Sequence, residues 1–401
     1  MTRRALCACV IAVVLGAVLT GGLLLAAREQ TEAAPKSCKL AANLVLTGGW
    51  APFGVGMFNS FKLAVDQATA AGELKDIKVE VTRGDNTGDT AQGVALATKA
   101  GQDPDVVGAF CCWASGIGVA THSVYNRYGL PVILGGSNDH RSSRPFHQSK
   151  VVFRNSPYDL INMKMAAVYA VDVAKFKRLY LLDDTTPFGR TQVDEFEKVA
   201  KQLGGDKIIL GRDSITPNEK DFTPILTKIK PLNLDLLYLG GRVVEASLIR
   251  QQMVKLGFTA PLMSSGGVFS DTYIQVAGPA AEGSLATFWG LPLEYYPEGR
   301  GVKFDRDYKA AGFKEPYESF GPMAYAAGQV FAQAIKGEGC DRQKILKNLE
   351  SQEFDTVLGK FRFDENGMLD ILNIAVYRVE KGQWKILYRT DRKATKFEKV
   401  S

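Results

Sequence analysis

Short apolar runs alternate along most of the chain with stretches whose apolar residues recur at helical spacing. The strand-like runs cover residues 40–46, 79–82, 106–108, 131–134, 179–182, 208–210 and 234–239. Helical spacing covers residues 57–71, 90–101, 119–125, 190–203, 222–229 and 244–256. Strands that alternate with helices form parallel sheets whose two faces are covered by the helices. The pattern therefore predicts an α/β fold.

The last third of the chain departs from this strict alternation. Residues 322–335 form a long Ala-rich segment of helical character, and Asn366-Gly367 is typical of a tight turn that follows a strand. Residues 374–377 and 384–388 then predict a closing hairpin. Because strands return after a helical segment, we expect two lobes whose boundaries are discontinuous in sequence.

Pairs of glycines follow several of the apolar runs. They are Gly48-Gly49, Gly135-Gly136, Gly240-Gly241 and Gly266-Gly267. In open parallel sheets ligands bind beyond the carboxyl ends of the strands, and glycine lets the backbone turn there and approach a ligand closely. A glycine pair also serves simply to end a strand, but four pairs spread over both halves favour a cleft lined from two sides. None fits the Gly-rich nucleotide-binding patterns.

The length and charge of the chain limit which classes of protein it can belong to. The chain has 401 residues, of which 46% are hydrophobic and 23% charged, so it is long enough for two domains with separate cores. The formal net charge is +6, but charges of both signs are mixed along the chain. This distribution argues against nucleic acid as a partner.

The first 34 residues have the layout of a secretory signal. A basic start is followed by an apolar run, residues 5–27, and by a polar stretch that leads into the body. Cleavage is expected after Ala27 or near Ala33 and Ala34. The alternative is an uncleaved anchor, because the apolar run is long enough to cross a bilayer. Either outcome predicts a soluble body in the periplasm, without a second long apolar segment.

Export changes what the cysteines imply. Four of the six cysteines lie beyond the signal, and an oxidising compartment permits disulfides. Cys38 and Cys340 flank the ends of predicted elements and are candidates for a pair, although sequence alone does not fix pairing. Cys111 and Cys112 are either small pocket or core residues or a vicinal disulfide.

Neither catalysis nor metal binding is supported. Cys112 and His122 are a thiol and a base, but ten residues of helix would place them almost three turns apart. His122, His140 and His147 lack the close spacing of metal ligands. We therefore expect no enzyme activity, no catalytic residues, no metal and no cofactor.

Several short motifs occur in an order and spacing that resemble a known family. They are Thr47-Gly48-Gly49 with Phe53-Gly54, residues 108–112, Asp184 with Phe188-Gly189, residues 220–223, residues 238–241, and residues 358–367. In these motifs the chain resembles the type I periplasmic solute-binding proteins, specifically the leucine/isoleucine/valine-binding branch. The likeness covers nearly all of residues 39–390.

The resemblance implies two doubly wound parallel-sheet lobes joined by a three-strand hinge, with crossings near Asn155, Trp289 and Phe361. It implies one lobe of residues 35–155 plus 290–360 and another of residues 156–289 plus 361–395. Such a protein is a monomeric receptor that closes on a small solute, an amino acid or related carboxylate, and delivers it to the membrane permease of an ABC importer. The alternative from the same module is a sensor that is held at the membrane.

The resemblance also assigns candidate ligand-binding residues. In chain order they are Phe53, Cys112, Trp113, Ala114, Ser115, Ser137, Asn138, Phe188, Arg242, Gly266 and Gly267. Cys112 stands where the family has a serine that binds the ligand carboxylate, so the backbone N–H groups at residues 114–116 and the Ser115 hydroxyl are expected to share that role. Ser137 or Asn138 matches a second hydroxyl position. Phe53 and Phe188 match aromatic positions.

Two positions depart from the family's pattern. Gly266 stands where the family has an acid that binds the ligand ammonium, so a buried ammonium would lack a counter-charge unless Glu245, Asp184 or Asp271 substitutes. Arg242 stands at an aromatic position, where it is either a bidentate carboxylate partner or a solvated surface charge. The pocket is therefore expected to favour a carboxylate without an amine, an aromatic or aliphatic acid, or an amide.

Overall fold

The computed structural model describes residues 37–337 and 339–400. The predicted signal, residues 1–34, lies outside the described residues. Within the described part of the chain, every helix is too short or too polar to cross a membrane.

The first lobe is built on five parallel strands in the order β2-β1-β3-β4-β5. The strands are β1 (Ser37–Leu44), β2 (Lys78–Asp85), β3 (Val106–Cys111), β4 (Val132–Leu134) and β5 (Val152–Arg154). The helices between them are α1 (Ala51–Ala70), α2 (Thr90–Gln102), α3 (Ser115–Arg127) and the short α4 (Arg144–His147). Strands β3, β4 and β5 are wholly buried, which explains the uninterrupted apolar sequence of β4 and the nearly apolar sequences of β3 and β5.

The second lobe repeats this topology. Its parallel strands run in the order β7-β6-β8-β9-β10. They are β6 (Leu179–Asp183), β7 (Ile209–Ser214), β8 (Leu236–Gly240), β9 (Leu262–Ser264) and β10 (Leu285–Phe288). The helices are α5 (Asp159–Val168), α6 (Pro187–Gly204), α7 (Thr223–Ile229), α8 (Val243–Lys255) and α9 (Asp271–Ala277).

The chain then returns to the first lobe. It forms α10 (Arg300–Ala310), α11 (Gly321–Ile335), α12 (Arg342–Ser351) and a hairpin of β11 (Phe354–Thr356) and β12 (Gly359–Phe361). Helix α11 packs closely on α1: a Cβ added at Gly328 would lie 2.5 Å from the carbonyl oxygen of Phe61. Only glycine allows the two helix backbones to approach this closely.

The chain ends in the second lobe. Strands β13 (Ala375–Glu380), β14 (Gln383–Thr390) and β15 (Phe397–Lys399) add antiparallel to β10, which completes a sheet of eight strands. The predicted closing hairpin is β13–β14, and the Asn366-Gly367 turn is present with Gly367 at φ +74°. The α/β class, the two parallel-sheet lobes and the return to strands are thus confirmed.

The structure also shows which cysteines beyond residue 34 form a disulfide. Cys38 and Cys340 form a disulfide with a Cα–Cα distance of 5.7 Å. Cys111 and Cys112 are free and buried, so the vicinal-disulfide alternative is wrong. The pair Cys38–Cys340 joins β1 to the segment between α11 and α12, and both of these belong to the first lobe.

The only histidine on α3, His122, is buried without a hydrogen bond to either ring nitrogen. Its ring stacks on that of His147, with centroids 4.2 Å apart. Burial, helped by electrostatic interaction with His147, Arg154 and Arg144, lowers the pKa of His122 to about 3. His122 is therefore neutral in the folded protein and takes up a proton only on unfolding.

We expect this histidine to make the protein less stable in mild acid. Below the ordinary histidine pKa of about 6.5 the unfolded chain binds a proton that the folded chain does not, so stability falls as the pH drops toward 3. Between pH 7 and pH 5 the loss is about 2 kcal/mol. The free energy of unfolding is measured by denaturant titration at both pH values, in the parent protein and in His122→Phe. From pH 7 to pH 5 it should fall by about 2 kcal/mol less in the variant than in the parent. Identical drops would show that His122 does not cause it.

Candidate functional site

The carboxyl ends of four strands meet at the junction of the two lobes. In each lobe the strand order reverses between two neighbouring strands, β1 and β3 in the first lobe and β6 and β8 in the second. A crevice for a ligand forms beyond the strand ends at such a reversal. The segments that follow these four strands carry Trp50, Trp113, Phe188 and Arg242, of which Phe188 is the second residue of α6.

The first lobe contributes a wall of aromatic rings. Phe53 of α1 stacks on Trp113 with ring centroids 4.8 Å apart and an interplanar angle of 12°. Trp50 lies against the same indole at 5.6 Å, and Phe320 meets Phe53 edge-on at 5.7 Å. The sequence predicted Phe53 and Trp113 at the site but missed Trp50 and Phe320, which belong to no family motif.

Arg242 extends from the second lobe into this wall. Its guanidinium carbon lies 4.5 Å from the ring centroid of Trp50, 4.4 Å from that of Trp113 and 4.6 Å from that of Phe188. The residue is only 3% exposed, so the solvated-charge alternative is wrong. A desolvated cation over an aromatic face gains roughly 2 kcal/mol.

One N–H group of the Arg242 guanidinium has no hydrogen-bond acceptor in the protein. The Nε of Arg242 is buried and makes no hydrogen bond. Burial lowers the pKa of Arg242, and the carboxylates of Asp184, Glu245 and Asp159 oppose that shift. Because arginine stays protonated, the free N–H is a donor that awaits an acceptor such as a carboxylate oxygen.

The glycine loop after β9 lies beside the aromatic ring of Phe188. A Cβ added at Gly267 would lie 2.7 Å from the carbonyl oxygen of Gly241 and 2.9 Å from the Phe188 ring. Gly266 similarly faces Phe288 and Trp289. These two glycines therefore let the loop after β9 pack against the loop after β8.

The N-terminus of α3 also faces the junction. Ala114 is the N-cap and makes no side-chain capping bond, and the Ser115 hydroxyl is buried without a partner. Ser137 donates to the Ser115 carbonyl oxygen at 3.5 Å. The first N–H groups of a helix are free donors, so this end of α3 suits an anionic group.

Cys112 does not lie with the aromatic wall. It packs in the core cluster of the first lobe with Cys111, Ile117 and Tyr125, while Trp113 occupies the position at the junction. Burial raises the pKa of the Cys112 thiol well above its ordinary value, so it is not a thiolate. A buried neutral thiol is neither a nucleophile nor a strong donor to a ligand.

Asn138 joins the two lobes. Its carbonyl oxygen accepts a hydrogen bond of 2.8 Å from the backbone N–H of Asp159, the first residue of α5. Its side-chain oxygen accepts from the Ser156 hydroxyl, while its Nδ2 is buried and unpaired. Beside it, Asp139 binds Arg141 and accepts from Thr191 of the second lobe at 3.3 Å.

Several polar side chains of the second lobe are buried at this junction without hydrogen-bond partners for at least one atom. They are Asp159, Asn162, Gln192, Thr287 and Trp289. Buried polar atoms are normally paired, and an unpaired one costs about 1–3 kcal/mol. The sequence did not identify these residues, since no glycine pair or family motif marks them.

Of the three acids that the sequence offered in place of the family's acid, two accept hydrogen bonds within the protein and one is exposed. Glu245 accepts a hydrogen bond of 2.8 Å from the backbone N–H of Asn218. Asp184 accepts from the backbone N–H of Thr186 at 3.0 Å, and Asp271 is exposed at the start of α9. Asp159 is instead a fully buried acid whose carboxyl oxygens form no ion pair. Among the described residues no group of three or more potential ligands could hold a metal ion.

Comparison with known proteins assigns the family. A family model described as "Periplasmic binding protein" matches residues 37–383. The chain belongs to this family. The periplasmic binding protein described here is 32% identical over 342 residues to Leu/Ile/Val-binding protein homolog 1 of Brucella suis biovar 1, covering 84% of this chain and 89% of the relative. The resemblance seen in the sequence is thereby confirmed.

Solved structures share the fold of this periplasmic binding protein. A leucine binding protein, LivK of Thermotoga maritima, matches with a TM-score of 0.80 at 24% identity, over 88% of this chain and 99% of that one. The substrate binding protein LivJ of Streptococcus pneumoniae, in complex with isoleucine, matches at 0.79 and 20%, over 91% and 99%. A solute binding protein of R. palustris, in complex with 4-hydroxybenzoate, matches at 0.77 and 18%, over 89% and 98%.

Proposed function

We propose that this protein is the periplasmic receptor of an ABC importer, which closes its two lobes on a small amino acid or related carboxylate and delivers it to a membrane permease. The position of Arg242 carries the proposal: a cation of one lobe lies in an aromatic wall of the other, with a donor left free. A ligand that contacts both lobes stabilises the closed form selectively.

The chemistry of the junction supports a carboxylate ligand. The free Nε of Arg242, the Ser115 hydroxyl and the N-terminus of α3 are all donors. The rings of Phe53, Trp113 and Phe188 provide apolar surface for a side chain. The relatives' names and complexes cover both branched amino acids and an aromatic acid, so both classes belong in a screen.

The lobe boundaries, the monomeric state and delivery to a permease are further parts of the proposal. The predicted lobe boundaries, residues 35–155 plus 290–360 and residues 156–289 plus 361–395, stay a prediction, as does the monomeric state. Delivery to a permease is tested by uptake of labelled solute in cells with and without the chain. A sensor held at the membrane is the second candidate, favoured if residues 5–27 remain in the mature protein.

We expect a solute to raise the melting temperature of the purified body. The panel comprises amino acids, aromatic acids, short aliphatic acids and amides, each measured at several concentrations. A ligand at 100 times its Kd adds about 2.7 kcal/mol of stability, so the shift should grow with concentration. The bound solute, recovered afterwards, should be chemically unchanged. A panel without any shift, or a recovered solute that is altered, would contradict the proposed receptor.

A further inference from the structure

Asp159 is an isolated carboxylate at the junction of the lobes. It is 0% exposed and forms no ion pair, and the neutral side chain of Gln192 is the hydrogen-bonding group beside its carboxylate. Its backbone N–H donates to the carbonyl of Asn138 in the first lobe, so the residue is fixed where the two lobes meet. An ionised carboxylate in such a place is unfavourable unless a cation compensates it.

The charged groups around Asp159 do not provide that cation by contact. Arg154 and Arg242 attract the carboxylate from a distance, while Asp139 repels it. Arg154 donates to the hydroxyl of Ser142, and Arg242 lies among the aromatic rings. The side-chain amide of Gln192 in α6 lowers the pKa of the carboxylate by hydrogen bonding, and Tyr238 of β8 also lies near it; neither group is a cation.

We infer that Asp159 is the counter-charge for a cationic group of the solute, while Arg242 binds its carboxylate. This rests on the proposed function and narrows its ligand to a zwitterion, of which an α-amino acid is the simplest kind. Asp159 thus takes the place of the acid missing at Gly266. The charge comes from the start of helix α5 and not from the loop after β9. Asp159 is the first residue of α5, where the helix dipole favours a carboxylate.

A purely structural role at the start of α5 is the rival explanation. Asp159→Asn separates the two, because asparagine keeps the size and polarity of the side chain and removes only its charge. A structural role predicts equal effects on all solutes. A counter-charge predicts a loss that is restricted to solutes with an ammonium group.

The test compares matched pairs of solutes by titration calorimetry. The pairs are leucine with 4-methylpentanoate and phenylalanine with 3-phenylpropanoate, in which the second member lacks only the amine. In Asp159→Asn the affinity for the amino acid that binds should fall 30-fold or more, and that for its deaminated partner by less than 3-fold. The control is Asp194→Asn, an exposed carboxylate on α6 of the same lobe, which should change neither.

Proton release supplies a second readout. Burial, with repulsion from Asp139, raises the pKa of Asp159 to about 7. A bound ammonium favours the ionised carboxylate, so binding at pH 7 should release about half a proton. Calorimetry in two buffers of different ionisation enthalpy measures this release, and Asp159→Asn should abolish it. Below pH 7 the affinity for the amino acid should fall.

The outcomes separate the two claims. If the parent protein binds the deaminated acids and not the amino acids, or if Asp159→Asn weakens both members of a pair equally, the assignment of Asp159 is overturned and the receptor stands. If neither these solutes nor the wider panel bind, the proposed function itself is overturned.

Discussion

Replacing Cys38 and Cys340 together with alanine should lower the free energy of unfolding by about 4 kcal/mol. The disulfide links residues 302 positions apart, so it restricts the unfolded chain over most of the described sequence. Chain-entropy arguments give about 5–6 kcal/mol for a loop of this length, and measured losses on removing native disulfides are commonly 2–5 kcal/mol. The melting temperature should fall by about 5–10 °C.

A reductant provides the matched control. Dithiothreitol should lower the melting temperature of the parent protein toward that of the double variant and leave the variant unchanged. Cys111 and Cys112 are free thiols, so their presence in both proteins does not affect the comparison. An equal melting temperature in the parent and the double variant would show that the cross-link does not stabilise the fold.

The fold could be predicted from the sequence because its parallel strands are buried on both faces. Such strands appear as uninterrupted apolar runs, as in β3, β6 and β8, and the amphipathic helices between them fix the class. The pattern did not predict α10 and α12. Their sequences, residues 300–310 and 342–351, carry few apolar residues, because each buries only a narrow stripe.

The site was harder to predict because it forms only when two distant lobes meet. The resemblance assigned Phe53, Trp113 and Phe188 to the ligand site: Phe53 stacks on Trp113, and Trp113 and Phe188 both lie against Arg242. Asp159 was missed because it lies on the connection between the lobes, five residues beyond β5, with no glycine pair beside it. Only the structure shows that its carboxylate is buried without an ion pair.

The junction explains why closure should depend on a ligand. Contacts within the protein hold the lobes together at a few points, including Thr191 on Asp139 and Thr272 of α9 on Glu318, the latter at 2.7 Å. These favourable contacts are opposed by the buried polar atoms that have no hydrogen-bond partner, because each such atom costs about 1–3 kcal/mol. Water would satisfy these atoms in a form whose lobes are apart. A solute that pairs with them therefore shifts the population toward the closed form.

Arg242 should be the side chain whose loss weakens binding most. Arg242→Ala removes the charged partner of the carboxylate and the cation that connects the second lobe to Trp50 and Trp113. A charge-assisted hydrogen bond is worth about 1.5–3 kcal/mol and a desolvated cation–π contact roughly 2 kcal/mol. We therefore expect the affinity, measured by calorimetry, to fall at least 100-fold.

The variant series identifies which property of Arg242 matters. Arg242→Lys keeps the charge but loses the planar group that stacks on the rings and pairs with two oxygens, so its affinity should fall about tenfold. Lys255→Ala, an exposed cation at the far end of α8, should bind like the parent. Without solute, Lys255→Ala should unfold like the parent protein, because its side chain is exposed.

The two charged residues of the junction should differ in which solutes they affect. Both members of each solute pair carry a carboxylate, so Arg242→Ala should weaken leucine and 4-methylpentanoate by similar factors. Asp159→Asn should instead weaken only the member with an amine. Parent-like affinity of Arg242→Ala for every solute that binds would show that the carboxylate docks elsewhere, and the N-terminus of α3 with Ser115 would then be its remaining anchor.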